Sequence, residues 1–248
     1  MLNQNEIIKK NLHFILSHFN NQEHVFPRSI MTLKTKGPIF GDSEDDIFQH
    51  FLESEFKDCK INGYPLFDKD DDNRLSPSFI FIDLDLSLCD TCKYPKRKLD
   101  YILKETLNKM EKEVNGFPTV LWTGDGYHIY LPIRLVNQDV KEKEKKKEKC
   151  SIEFVSQYYD ELSSSFSFVN NDIGVEFMKF ASKHFTNNHI DLDQISCINS
   201  FYVRVPGTIN SKLNLKVELI QAWDGKLVNI QAIASSFLNS LEQNKSGK

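Results

Sequence analysis

Apolar residues recur along this chain at two spacings, and the switches between them mark the elements. Ile8, Leu12, Ile15 and Phe19 return every three or four positions and predict an amphipathic helix over residues 4–19. Ile47, Phe48, Phe51 and Leu52 predict a second from Ser43 to Phe56, with Ser43 as N-cap and Asp45 and Asp46 in an acidic first turn. Between them, Arg28 to Leu33 reads as a strand. From Phe79 to Leu86 the period becomes two. Asp83 and Asp85 then share one face, and Ile80, Ile82, Leu84 and Leu86 form an aliphatic row facing a core on the other. Leu99, Ile102, Leu103 and Met110 predict a helix from Arg97 to Val114, stopped by Gly116 and Pro118. A hairpin follows: Thr119 to Trp122, the turn Thr123-Gly124-Asp125-Gly126, and Tyr127 to Leu131, with His128 and Tyr130 on one face.

Further on, the alternating Lys and Glu of Lys141 to Lys149 read as a solvated stretch. Helices are expected near Ile152 to Leu162 and Val175 to Phe185, strands at Phe201 to Val205 and Leu213 to Ile220, and a last helix from Asn229 to Leu241. The acidic run Phe67 to Arg74 lacks the Gly and closing Glu of a calcium loop and reads as a polar loop. No repeat or low-complexity linker interrupts the chain. The expectation is one mixed α/β (α+β) domain over 1–248. An N-terminal helix-and-strand part occupies 1–75, a central part 76–220, and a C-terminal helical part 221–248.

Composition narrows the function classes. The 248 residues are 40% hydrophobic, enough for a substantial core, and 27% charged with a net charge of −4. That balance argues against a uniformly basic protein that coats DNA, so any contact with a polyanion must come from a local patch. No apolar run reaches the ~18 residues of a membrane helix, and the N-terminus lacks a basic region followed by an apolar block. A soluble, cytoplasmic protein without a membrane partner is expected. Five cysteines, an odd number, point to reduced thiols or a metal site rather than a disulfide framework.

Candidate chemistry begins at Asp83 and Asp85. Strands avoid Asp, and two carboxylates ~7 Å apart along one face repel unless a cation lies between them, which suits Mg2+ or Mn2+. The backbone amides of a Gly-rich turn can cradle phosphate oxygens, and His128, just after that turn, can donate to the same group. Asp125 puts a negative charge in the turn, tolerable where its side chain points away. Arg204 and Lys212 supply cationic donors, Arg's fork being suited to phosphate. Carboxylates that hold divalent ions, next to groups that hold phosphates, describe nucleotidyl transfer.

Three motifs therefore occur in order: Asp83-Leu84-Asp85 on a strand, Thr123 to His128, and Ile190-Asp191 followed by Arg204-Val205-Pro206-Gly207-Thr208-Ile209-Asn210. In this the chain resembles the archaeo-eukaryotic primase superfamily, and within it the primase-polymerase branch. The resemblance covers residues 79 to 212 and implies a primase core with an RNA-recognition-motif-like half, two sheet-bearing halves flanked by helices, and a central cleft. It implies a DNA-dependent primase or polymerase that transfers nucleotidyl groups from NTPs or dNTPs with two ions of Mg2+ or Mn2+. Asp83, Asp85 and Asp191, with Asp193 as the alternative third ligand, would hold metal. Thr123, Gly124, Gly126, His128, Arg204 and Lys212 would hold the nucleotide. The implied partners are a single-stranded DNA template, a primer, and a helicase or other replication proteins. Cys89 and Cys92 lie where small primase subunits carry a zinc knuckle. A four-ligand Zn2+ site would need Cys59, Cys150, His184 or His189 as well.

Two readings from other classes stay open on the sequence alone. A replication-initiator nuclease would use a metal-bound His pair and a Tyr nucleophile, and His128-Ile129-Tyr130 lacks the second His. A non-catalytic single-strand-binding module would use the sheet as a platform, with Trp122, Tyr127 and Tyr130 either stacking on bases or lying in the core.

Overall fold

The computed structural model describes residues 3–19, 25–63, 79–89, 93–134, 173–190 and 201–246. The expected helix near Ile152, the Lys/Glu stretch, the acidic run after Phe67, and the Asp191, Asp193, Cys92 and Cys150 assignments lie outside these residues. Helix α1 (Gln4–Ser17) opens with a capping box: Asn3 accepts from the Glu6 amide and Glu6 from the Asn3 amide. Strands β1 (Arg28–Met31) and β2 (Ile39–Gly41) precede α2 (Glu44–Glu53), where Ser43 caps the Asp46 amide as its sequence promised. β3 (Lys60–Asn62) follows, and then β4 (Phe79–Asp85), which runs into a short 3-10 turn.

Helix α3 (Pro95–Val114) ends at Asn115, whose left-handed φ of 51° terminates it. The hairpin of β5 (Thr119–Trp122) and β6 (Gly126–Pro132) comes next, then α4 (Ile173–Phe185) and β7 (Tyr202–Arg204). β8 (Ile209–Asn210), β9 (Leu215–Lys216), β10 (Glu218–Gln221) and α5 (Gln231–Ser246) close the order. The single strand expected from Leu213 to Ile220 is thus two. Val217 is buried and exchanges backbone bonds with Gly207 and Thr208, so the chain leaves one sheet there and joins another.

Two four-stranded antiparallel sheets carry the fold, in the orders β2-β1-β3-β7 and β10-β5-β6-β4, with a β8-β9 ribbon beside them. β4 and β5 both pair antiparallel with β6 and are joined through α3, giving a split βαβ unit. Helices α3 and α4 contact β4, where Ile80, Ile82 and Leu84 are fully buried as the alternation required. The carboxylate-bearing face is apolar at its start: Phe79 and Phe81 are buried too, with Phe81 stacked on Tyr130 and edge-on to Phe201. The same strand therefore leaves the core only at Asp83. No helix among the described residues is long and apolar enough to cross a membrane.

Candidate active site

Between the two sheets lies a cleft of about 740 Å³. Asp83 and Asp85 of β4, His128 of β6, and Thr123 and Asp125 of the hairpin turn form one wall; Lys60 of β3 and Tyr202 and Arg204 of β7 form the other. Lys36 and Lys212 also line the cleft. Register explains the grouping. Asp83 sits directly opposite His128 and Asp85 opposite Gly126 on β6, while Lys60 sits opposite Arg204.

Asp83 leaves 49% of its side chain accessible, but it opens onto the cleft rather than bulk water. Burial at the cleft floor, then the charges of Asp85 and Asp125, push its carboxyl up to about 7 against the opposing Arg204 and Lys60. His128 Nε2 lies 3.6 Å from Asp83 Oδ1. Burial first, then the Arg204 and Lys60 cations, lower its imidazole to about 3. The histidine is therefore neutral at pH 7.

On the opposite wall, Arg204 Nη1 lies 3.5 Å from Asp58 Oδ1. Asp58 also accepts from the Ser211 amide at 3.1 Å and from the Ser211 hydroxyl. Burial raises the Asp58 carboxyl, but the Ser211 bonds and the Arg204 charge outweigh that and hold it below its ordinary value. Lys60 has no carboxylate within 4.0 Å among the described residues, and burial and then Arg204 lower its ammonium. Two cations on directly opposed strand positions repel. Asp58 offsets one of them, which leaves this wall complementary to an anion.

The sequence motifs divide in the structure. Asp83, Asp85, Thr123, His128, Arg204 and Lys212 converge on the cleft; Gly124 and Gly126 do not line it. Gly126 is needed for another reason: a Cβ there would meet the Leu84 carbonyl oxygen at 2.5 Å, so the glycine lets the hairpin close against β4. Gly124 adopts φ +104° beneath Leu213 and Leu215. The Thr123 hydroxyl is 3.1 Å from both Asp125 Oδ1 and the Gly126 carbonyl, so it braces the turn. Asp125 faces the cleft instead of turning away, 3.9 Å from Lys212, whose positive charge makes this tolerable.

Asp58 and Lys60 carry no motif and were not legible in the sequence. Asn210 was legible only as part of a motif; its side-chain amide donates to the Thr123 carbonyl at 2.9 Å and ties the third motif to the second. The aromatics of the hairpin belong to the scaffold. Tyr127 and Tyr130 are buried, and Lys96 lies 4.2 Å from the Trp122 ring and 4.4 Å from the Tyr127 ring.

Of the more distant zinc candidates, Cys59 is buried, with its thiol directed at the Lys57 carbonyl, and His184 pairs with Glu113 at 2.6 Å. Among the described residues no group of three His, Cys, Asp or Glu side chains is placed to hold an ion. No protein-family model and no curated protein sequence matches the chain.

Proposed function

We propose that the protein is a template-dependent nucleotidyltransferase of the primase-polymerase kind, which joins NTPs or dNTPs on single-stranded DNA. The observation that carries this reading is the cleft itself. It gathers carboxylates, a neutral histidine and cations from four separate stretches of chain, Asp83 and Asp85 on one sheet and Arg204 and Lys60 on the other. The split βαβ unit that bears Asp83 and Asp85 agrees with the recognition-motif-like half that the sequence resemblance implies.

The donor set fits a hard divalent ion. Asp83 and Asp85 offer oxygen ligands on one face, and Asp125 lines the same cleft beside them, so three carboxylates gather there. Asp83 and Asp85 would hold Mg2+ or Mn2+, with Asp191 or Asp193 proposed as the further ligand. Bound there, the ion supplies charge neutralisation of phosphate and activation of a hydroxyl.

The chain's own residues do the rest. Arg204 and Lys60 bind the phosphate charge, and Lys212, 81% exposed at the rim, meets it on entry. His128 donates a hydrogen bond from a neutral ring, and Phe81 and Tyr130 close the floor against water. Primer extension on a single-stranded template with Mg2+ or Mn2+ is expected in the wild type and absent in the double variant Asp83→Ala, Asp85→Ala with an unchanged circular dichroism spectrum. Retained synthesis in that variant would overturn the proposal.

A further inference from the structure

We infer that Tyr130 is a positioning residue that fixes His128 in the tautomer carrying its proton on Nε2, so that the imidazole is a ready donor toward the cleft. A tyrosine hydroxyl has one proton to give and two lone pairs. The Tyr130 oxygen accepts from the backbone N–H of Arg204 at 3.1 Å and lies 3.0 Å from His128 Nδ1. Among the described residues it has no other partner. Tyr130 is 2% exposed, so a hydroxyl proton aimed anywhere else would be buried without an acceptor, which costs about 1–3 kcal/mol.

The proton therefore goes to Nδ1. A neutral imidazole that accepts at Nδ1 carries its hydrogen on Nε2. Nε2 is the nitrogen that faces Asp83, and at 3.6 Å it is too far for a hydrogen bond, so the N–H stays available in the cleft. The ring itself is held by Phe81, edge-on at 5.2 Å, and Phe81 in turn stacks on Tyr130.

One hydroxyl thus sets two walls. It orients the donor on β6, and it anchors the backbone of the very residue on β7 that presents the guanidinium. This arrangement makes His128 unsuited to act as a base toward the cleft, because its only free lone pair is already taken. It suits a negatively charged hydrogen-bond acceptor such as a phosphate oxygen. The assignment of that acceptor rests on the function proposed above, whereas the tautomer does not.

Nitrogen-15 NMR of the full-length protein, labelled at histidine, separates the two. The spectrum is expected to show His128 neutral at pH 7.5 with the proton on Nε2 and a hydrogen-bonded Nδ1; a proton on Nδ1 overturns the inference. In Tyr130→Phe, which keeps the ring and its stacking, the Nδ1 resonance should move to its unbonded position. An unmoved resonance also overturns it. Calorimetry with dATP and Mg2+ should give binding weakened about fivefold in Tyr130→Phe, and partly retained by His128→Gln, whose amide donates from the Nε2 position, but not by His128→Asn. Equal binding by wild type and Tyr130→Phe would overturn the donor role. No binding of either dATP or ATP by the wild type would overturn the proposed function and leave the tautomer result standing.

Discussion

Two buried histidines in this protein are wired in opposite senses. His18, at the end of α1, has its Nδ1 2.9 Å from the Phe14 carbonyl and its Nε2 2.7 Å from the Thr119 hydroxyl, which itself accepts from the Trp223 amide at 3.0 Å. A carbonyl can only accept, so Nδ1 carries the proton and Nε2 accepts from Thr119. Every polar atom of that ring is occupied by the scaffold. His128 has one nitrogen occupied and the other facing a cleft. Burial lowers both, His18 to about 4 and His128 to about 3. A depressed histidine is thus no mark of a site by itself. What separates the two is where the remaining N–H points and which charges surround it.

The largest effect that tests this contrast is on the structural side. His18→Ala should cost about 3 kcal/mol of stability at pH 8, through a cavity and the stranded Thr119 hydroxyl and Phe14 carbonyl, while the folded variant keeps its synthesis. Urea denaturation and primer extension measure the two, and a variant as stable as wild type would break the comparison.

The next effect is that cost's dependence on pH. His18 is lowered from 6.5 to about 4, so its contribution is fully present above pH 6.5 and is lost as pH falls toward 4. Between pH 7 and pH 5 that loss is about 2 kcal/mol. Asp83, raised to about 7, acts in the same window with the opposite sign, and His128 with the same sign as His18. The quantity to read is therefore the difference between wild type and variant. The penalty of His18→Ala should shrink to about 1 kcal/mol at pH 5, and a penalty constant with pH would show that the ring is not held neutral.

The smallest effect is on the cleft side. His128→Ala should lower synthesis about twentyfold, the worth of one hydrogen bond to a charged group. Its stability should change by about 1 kcal/mol, well below the cost of His18→Ala, since cleft water reaches the vacated place and gives the Tyr130 hydroxyl an acceptor. Initial rates and a thermal melt check this, and full synthesis in a destabilised variant would make His128 a second His18.

The sequence made the periodic elements legible and left the short ones dark. α1, α2, α3, the β5-β6 hairpin and the alternation of β4 follow from spacings that burial enforces, and the Asp83 and Asp85 wall came with them. β3 is three residues with a single buried aliphatic side chain, Ile61, and no local pattern distinguishes it from a loop. Its identity as a strand comes from pairing with β1 and β7, so Lys60 could not be placed in the cleft from sequence. Asp58 sits just before it at φ +51° and gains its role only when Ser211 and Arg204 arrive.

The glycines of the hairpin turn were legible as a turn and misleading as a cradle, because a tight approach to a neighbouring strand and an approach to phosphate ask for the same residue. Asp125 shows the same limit. Whether a turn side chain faces in or out depends on φ and ψ, and here also on Lys212, which follows β8.

The pairing of β3 with β7 has a consequence for how the molecule is made. The cationic wall is assembled from β3 and β7, which lie far apart in the chain, while Asp83, Asp85, Asp125 and His128 are all in place once β6 has been synthesised. A chain still attached to the ribosome before Arg204 has the acidic strand and its histidine, but neither the guanidinium opposite nor the amide that engages Tyr130. Closing so long a loop is slow compared with forming the hairpin. The two walls therefore face each other only after β7 has been synthesised, and until then a nascent chain carries an acidic ridge without the guanidinium that offsets it.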